Sequence, residues 1–174
     1  MIRKIGGLAA ACALFLFLLV FSLGAQAIDG FSVEVGHGDD HTALLRFGLT
    51  DRWRKREPLE AWRLAGYWEF TAGIWDNPDH STAELGFTPV FRIERKSIYF
   101  EGAVGVHLVS THISAARTFS TALQFGEHLG AGFYFGPRQR YDLSVRIQHL
   151  SNGHIRSPNP GINFWMMRLQ YNLE

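Results

Sequence analysis

Residues 62–74 read WRLAGYWEFTAGI and alternate between large apolar side chains and smaller or polar ones. The even positions carry Trp62 and Trp68 among other apolar residues, whereas Arg63 and Glu69 fall on odd positions. Because successive side chains of a β-strand point to opposite faces, this pattern predicts a strand with one apolar and one polar face.

The same two-residue period returns along most of the chain and gives eight strands in all. Segments rich in turn-forming residues separate these strands, as expected for antiparallel neighbours. The pattern therefore predicts an all-β antiparallel fold. The other alternating stretches are residues 31–35, 43–49, 85–93, 98–108, 119–135, 143–147 and 165–173.

The composition of the second face distinguishes between a soluble and a membrane barrel. That face mixes Gly, Ala and Ser with Glu, Arg, Gln, His and Tyr. Such a mixture suits the small polar interior of an eight-stranded barrel and leaves the aromatic and aliphatic face for lipid. We therefore predict an eight-stranded antiparallel transmembrane β-barrel, with a soluble lipocalin-like barrel as the alternative. Aromatic residues near strand ends predict interfacial girdles: Trp62, Trp75, Phe119, Phe135 and Trp165.

The N-terminus has the pattern of an export signal. Arg3 and Lys4 precede 16 uncharged residues from Leu8 to Leu23, and small residues stand at Ala25 and Ala27. This arrangement predicts a signal peptide over residues 1–27, cleaved after Ala27. Residues 28–174 then form the barrel, and export agrees with a position in a bacterial outer membrane.

Length, charge and cysteine content exclude several other classes of protein. A chain of 174 residues suits one domain, and a formal net charge of +1 argues against nucleic acid as a partner. The single cysteine, Cys12, supports neither a disulfide framework nor a thiolate metal site. We predict no cofactor and no metal, since the spacing of Asp39, Asp40 and Asp79 does not specify one. The oligomeric state stays open, with a homodimer as an alternative to a monomer.

Residues 149–163, HLSNGHIRSPNPGIN, concentrate the groups that nucleophilic catalysis uses. A serine hydroxyl becomes a good nucleophile when a nearby imidazole takes its proton. His149 and Ser151 stand two residues apart on a predicted strand, so their side chains leave the same face side by side. Asn152, Asn159 and the glycine-rich backbone offer N–H donors to an oxyanion.

The odd positions of His149 and Ser151 along the predicted strand assign this pair to the lipid side of the barrel. His149 and Ser151 continue the apolar odd face of the strand, at its extracellular end, where polar groups are costly unless they have a role. A nucleophile that faces outward at this level meets lipid of the outer leaflet. Phe125 and Ile147 share the same outward face and are expected to line the groove for an acyl chain.

These residues also carry a resemblance to a known family. His149 to Asn152, followed by Pro158 to Gly161, resembles the signature of the PagL family of lipid A 3-O-deacylases, and residues 125–130 resemble its sixth strand. The resemblance implies an outer-membrane barrel that hydrolyses the ester-linked acyl chain at position 3 of lipid A in lipopolysaccharide. It also implies Ser151 as nucleophile, His149 as general base, and Asn152, Gly153 and Asn159 around the oxyanion.

The third member of the implied triad departs from the family pattern. The family's acid falls at Asn163, where this chain has an amide. Asn163 can accept the imidazole N–H and fix its tautomer, but it adds no negative charge. Glu127 is the alternative acid, because a turn centred near Arg138 would place it across from His149 on the neighbouring strand.

Three functions compete on this evidence. The first is a serine ester hydrolase acting on lipid A, with its site toward the outer leaflet. The second is a non-catalytic structural or adhesive barrel, which the amide at Asn163 favours. The third is a barrel acyltransferase, which would pass the acyl group to an acceptor other than water.

Overall fold

The computed structural model describes residues 28–78, 81–110 and 119–173. The predicted signal peptide, residues 1–27, lies outside the described residues. No helix within the described residues is long and apolar enough to span a membrane. In these described ranges, two short 3₁₀ turns, Asp39–His41 and Pro137–Gln139, accompany nine strands. The strands are β1 (Gly30–Gly38), β2 (Thr42–Arg52), β3 (Glu57–Leu59), β4 (Trp62–Asp76), β5 (Ser81–Arg95), β6 (Ile98–Val109), β7 (Leu123–Phe135), β8 (Tyr141–Ser151) and β9 (Ile162–Asn172).

Eight of the strands close into one antiparallel barrel. β1 lies between β2 and β9, the strands from β4 to β9 pair in sequence order, and β2 pairs with β4 to complete the ring. The three-residue strand β3 only extends the edge of β4. The prediction of an eight-stranded antiparallel barrel is therefore confirmed. We call the end that carries residues 39–41 and 152–161 the loop end, and the opposite end, with residues 53–61 and 136–140, the turn end.

The outer wall of the barrel is apolar, as the alternation predicts. Phe47 is 57% exposed, Leu129 65% and Trp165 70%, and each lies on the outward face of its strand. An exposed apolar band around a closed barrel has the pattern of a lipid-facing surface, because it would be unfavourable in water.

Charged side chains fill much of the interior. Four arginines from β2, β5, β8 and β9 are buried, and each contacts a buried carboxylate from another strand. Such pairing is required because an unpaired buried charge costs several kcal/mol, on the order of 3–5. The pairs are Arg46 with Glu84 (2.9 Å), Arg92 with Asp142 (2.9 Å), Arg146 with Glu101 (2.7 Å) and Arg168 with Glu69 (3.0 Å).

Apolar side chains close the interior at the loop end, and this corrects two of the predicted girdle residues. Trp75 and Phe119 are buried inside the barrel instead of facing lipid. Trp75 has the odd parity of the inward face of β4, and its indole N–H donates to the Glu84 carboxylate. The remaining members of this apolar cluster are Leu44, Val109, Leu150, Ile162, Phe164 and Met166.

Candidate active site

The end of β8 brings His149 and Ser151 to the outer wall near the loop end. Both side chains are half-buried. Gln148, which precedes His149, and Leu150, which separates His149 from Ser151, are buried inside the barrel. The alternation runs without interruption to Ser151, the last residue of the strand. Across the ladders, Asn163 of β9 stands opposite His149, and Phe125 of β7 stands opposite Ser151.

The imidazole of His149 has a defined partner. Its Nδ1 lies 2.8 Å from Oδ1 of Asn163. An amide oxygen can only accept, so Nδ1 carries the proton and Nε2 is left with a free lone pair. This is the tautomer that a general base for a neighbouring hydroxyl needs. The amide of Asn163 also donates from Nδ2 to the Asp39 carboxylate at 3.0 Å.

Gly161 packs directly against the imidazole. A Cβ added to Gly161 would lie 2.5 Å from Cε1 and 2.9 Å from Nε2 of His149. The backbone of Gly161 also has a φ of +64°, which favours glycine. The absence of a side chain at Gly161 therefore leaves the space that the imidazole of His149 occupies.

We expect Gly161→Ala to lower activity about 100-fold or more while the barrel still folds, because the new methyl group would displace the base by about 1 Å. The effect is measured as the rate at which each purified variant hydrolyses lipid A, the substrate expected from the sequence. Gly136→Ala is the control, since Gly136 also has a positive φ of +73° but lies in a turn at the opposite end. An equal loss of activity in both variants would contradict a specific role for the Gly161 contact.

Ser151 has the backbone N–H of Gly153 as its neighbour. That N–H donates to Oγ of Ser151 at 3.3 Å. Gly153 has a φ of +62°, so the chain reverses tightly after the strand and turns this N–H back toward the serine. Within the described part of the chain, Ser151 makes no hydrogen bond to His149; in enzymes without substrate such contacts are often long and tighten on binding.

Asn152, which was predicted to lie near the oxyanion, is hydrogen-bonded to three neighbouring residues. Its side chain is buried, and Nδ2 donates to Oγ of Ser120 at 2.8 Å and to the carbonyl of Arg156 at 2.7 Å. The N–H of Asn152 donates to Oδ1 of Asn159 at 2.9 Å. The donors of Asn152 are therefore engaged by Ser120, Arg156 and Asn159.

An apolar groove runs along the outer wall directly below this pair. Its volume is about 640 Å³, and it lies between the outward faces of β7, β8, β9 and β1. Ile147, predicted to line such a groove, does so next to Trp165, which stands opposite it on β9. Phe125, the other predicted contact, lies higher and packs beside Gly153. The remaining outward-facing side chains in the groove are Val35, Leu129, Ala131, Val145 and Met167.

Glu127 lies opposite His149, as the predicted strand register indicated. It is the direct partner of His149 across the β7–β8 ladder, and its side chain is exposed. The hydrogen bond from His149, however, goes to Asn163 on the other neighbouring strand. Sequence reasoning did not connect Asp39 to the site, and it included Gly161 in the catalytic segment without giving it a role of its own. Gly161 could have been suspected from the Pro-Gly dipeptide, but Asp39 gave no such signal.

Two solved structures have a similar fold. The crystal structure described as the outer membrane enzyme PagL superposes with a TM-score of 0.75 at 27% identity, covering 83% of this chain and 99% of that chain. Neisserial surface protein A superposes with a TM-score of 0.51 over 82% of this chain and 94% of that chain. Its 10% identity supports a common fold alone.

Sequence comparison identifies the family. Residues 41–172 match the family described as lipid A 3-O-deacylase (PagL). The lipid A deacylase PagL of Pseudomonas aeruginosa is 31% identical over 150 residues, covering 82% of this chain and 85% of the relative. The lipid A deacylase PagL of Bordetella bronchiseptica is 28% identical, covering 82% of each chain. The eight-stranded outer-membrane barrel described here therefore belongs to the lipid A 3-O-deacylase (PagL) family.

Proposed function

We propose that this protein is a lipid A 3-O-deacylase, a serine ester hydrolase that acts from the lipid-facing wall of the barrel. The observation that carries the proposal is the hydrogen bond between His149 and Asn163 beside Ser151, above an apolar groove. A polar triad on a wall that otherwise faces lipid is costly unless it has a function. The names of the relatives supply the substrate class, lipid A.

The reaction would proceed through a serine ester. Nε2 of His149 takes the proton of Ser151 as Oγ forms a bond to the carbonyl carbon of the acyl chain at position 3. The tetrahedral intermediate then collapses, the bond to the sugar oxygen breaks, and His149 returns the proton to that oxygen. Water, deprotonated by the same imidazole, attacks the acyl-serine and releases the fatty acid together with the free Ser151 hydroxyl.

Two donors suit the oxyanion of this intermediate. The N–H of Gly153 already lies 3.3 Å from the serine oxygen, next to the carbon that this oxygen would attack. The Nδ2 of Asn159 is the second candidate, since its Oδ1 is held by the N–H of Asn152. We assign Asn152 to holding the loop in place. Preorganised donors of this kind typically contribute about 10²–10³ in rate each.

The substrate would approach laterally from the outer leaflet. Support for this route comes from the buried ion pairs that occupy the interior and from the apolar cluster at its loop end. The groove below His149 offers an acyl chain contact with Ile147 and Trp165 on a surface that already faces lipid.

We expect Ile147→Gln to lower kcat/KM on micellar lipid A about 10-fold, the effect of losing roughly 1.4 kcal/mol of apolar contact with the acyl chain. Val104→Gln is the matched control, because Val104 is 62% exposed on β6, away from the groove. Equal kinetics for the two variants would argue against the groove as the acyl site.

Enlarging Ser144, which is buried in the interior, should lower stability before it changes KM.

Mass spectrometry of lipid A tests the proposed function. Lipid A from cells that express the protein should lose the acyl chain at position 3, whereas cells that express Ser151→Ala should retain it. Unchanged lipid A in both would favour the non-catalytic barrel. Loss of the chain with its transfer to another acceptor would favour the acyltransferase.

A further inference from the structure

We propose that Asp39 is a positioning residue that supplies, through Asn163, the negative charge that Asn163 itself lacks. The inference rests on the proposed function and extends its triad by one residue. Asp39 belongs to the turn between β1 and β2, and its carboxylate accepts two hydrogen bonds from Asn163.

Asn163 donates two hydrogen bonds to the same carboxylate oxygen of Asp39. Oδ2 of Asp39 accepts the backbone N–H of Asn163 at 2.9 Å and the side-chain Nδ2–H at 3.0 Å. Oδ1 of the same amide accepts the Nδ1–H of His149 at 2.8 Å. A carboxylate, an amide and an imidazole thus form one continuous chain of hydrogen bonds.

The first consequence is a fixed orientation of the amide. If the amide of Asn163 were reversed, its oxygen would face the Asp39 carboxylate and its NH₂ group would face Nδ1 of His149. The carboxylate excludes that arrangement because two acceptors would then oppose each other. Asp39 therefore fixes the tautomer of His149 through Asn163. Residues that hydrogen-bond to the ligands of a metal site orient metal-binding histidines in a comparable way.

The second consequence concerns the charge that develops during the reaction. When His149 takes the serine proton, it becomes an imidazolium, which a carboxylate normally stabilises. An amide alone adds no net charge, but a carboxylate bonded to the amide polarises it along the hydrogen-bonded chain.

Local geometry brings the turn to β9. Gly38 pairs with Phe164, and a Cβ on Gly38 would lie 2.6 Å from the Phe164 ring and 3.0 Å from the carbonyl of Asn163. The glycine therefore lets the end of β1 approach β9 closely. Asp40 and His41 then take positive φ values of 55° and 57°, which turn the chain back into β2 and leave Asp39 at the start of the turn.

The test is a comparison of two single variants that remove the same charge from the same turn. We expect Asp39→Asn to lower kcat about 10–100-fold with little change in KM, the typical cost of losing a partner that orients a functional histidine. Asp40→Asn is the control, because Asp40 is exposed and asparagine tolerates its positive φ. Equal kinetics for both variants and the parent protein would overturn the role of Asp39.

A double-mutant cycle separates positioning from mere support of the turn. In Asn163→Asp the imidazole gains a direct carboxylate, which then lies against the Asp39 carboxylate. Asp39→Asn should therefore raise kcat in the Asn163→Asp protein, although it lowers kcat in the parent. A loss in both backgrounds would mean that Asp39 only supports the turn and would overturn the proposal. Activity that survives Ser151→Ala would instead contradict the proposed function itself.

Discussion

Ser151→Ala should reduce the deacylation of lipid A by on the order of 10⁴-fold or more and leave the barrel folded. In the proposed mechanism the serine supplies the nucleophile and the remaining groups can only orient substrate and water, so the variant should lose the rate enhancement that depends on the acyl-serine. His149→Ala should have a similar effect, because members of such a unit act together. Purified protein and purified lipid A give the rates.

The fold of these variants is checked independently of activity. Both side chains lie on the outer wall and take no part in the buried ion pairs, so circular dichroism and the gel mobility of unheated protein should match the parent. Near-full activity of Ser151→Ala would show that the serine mechanism is wrong, whatever the family relationship.

Asn163→Ala should have the second-largest effect, a fall in kcat of up to about 10⁴-fold, the cost of losing the group that orients a catalytic histidine. The alanine removes the acceptor that lies 2.8 Å from Nδ1 of His149 and the side-chain donor to Asp39, and it keeps only the backbone N–H contact to Asp39. The loss should stay below that of Ser151→Ala, because the base and nucleophile remain.

Glu127→Gln is the comparison that decides between the two candidates for the third group. Glu127 pairs with His149 across the ladder but does not accept its N–H, so this variant should retain most of the activity. If Glu127→Gln were more damaging than Asn163→Ala, the acid would belong on β7.

The barrel and the outward orientation of the pair could be predicted because both follow from the two-residue period. Once β8 is a strand, the parity of Val145 and Ile147 fixes that of His149 and Ser151. The same reasoning placed Glu127 opposite His149, because a short turn fixes the register of its hairpin.

The predicted girdle shows where a coarser rule failed. Trp75 and Phe119 were assigned to the membrane interface because they are aromatic and stand near strand ends. Parity argued against that for Trp75, and its indole reaches a buried carboxylate inside the barrel. Aromatic identity is thus a weaker guide than alternation in a barrel whose loop end is closed by apolar side chains.

Asp39 could not be connected to the site from sequence. It is 124 residues from Asn163, and their contact depends on closure of the barrel between β1 and β9. Gly161 lies in the segment that the sequence marks as catalytic, but its contact with the imidazole depends on how close the loop comes to the ring. Alternation fixes which way a side chain points, but the approach of two backbones depends on the register of several ladders together.

Hydrolysis in ¹⁸O-labelled water is the measurement that tests the central claim most directly. Purified protein would be incubated with lipid A in this solvent, and both products would be analysed by mass spectrometry. We predict lipid A that lacks the acyl chain at position 3 and a released fatty acid that carries one ¹⁸O atom, with neither product formed by Ser151→Ala. Unchanged lipid A, or an acyl chain found on another acceptor without the label, would contradict a serine hydrolase on the lipid-facing wall.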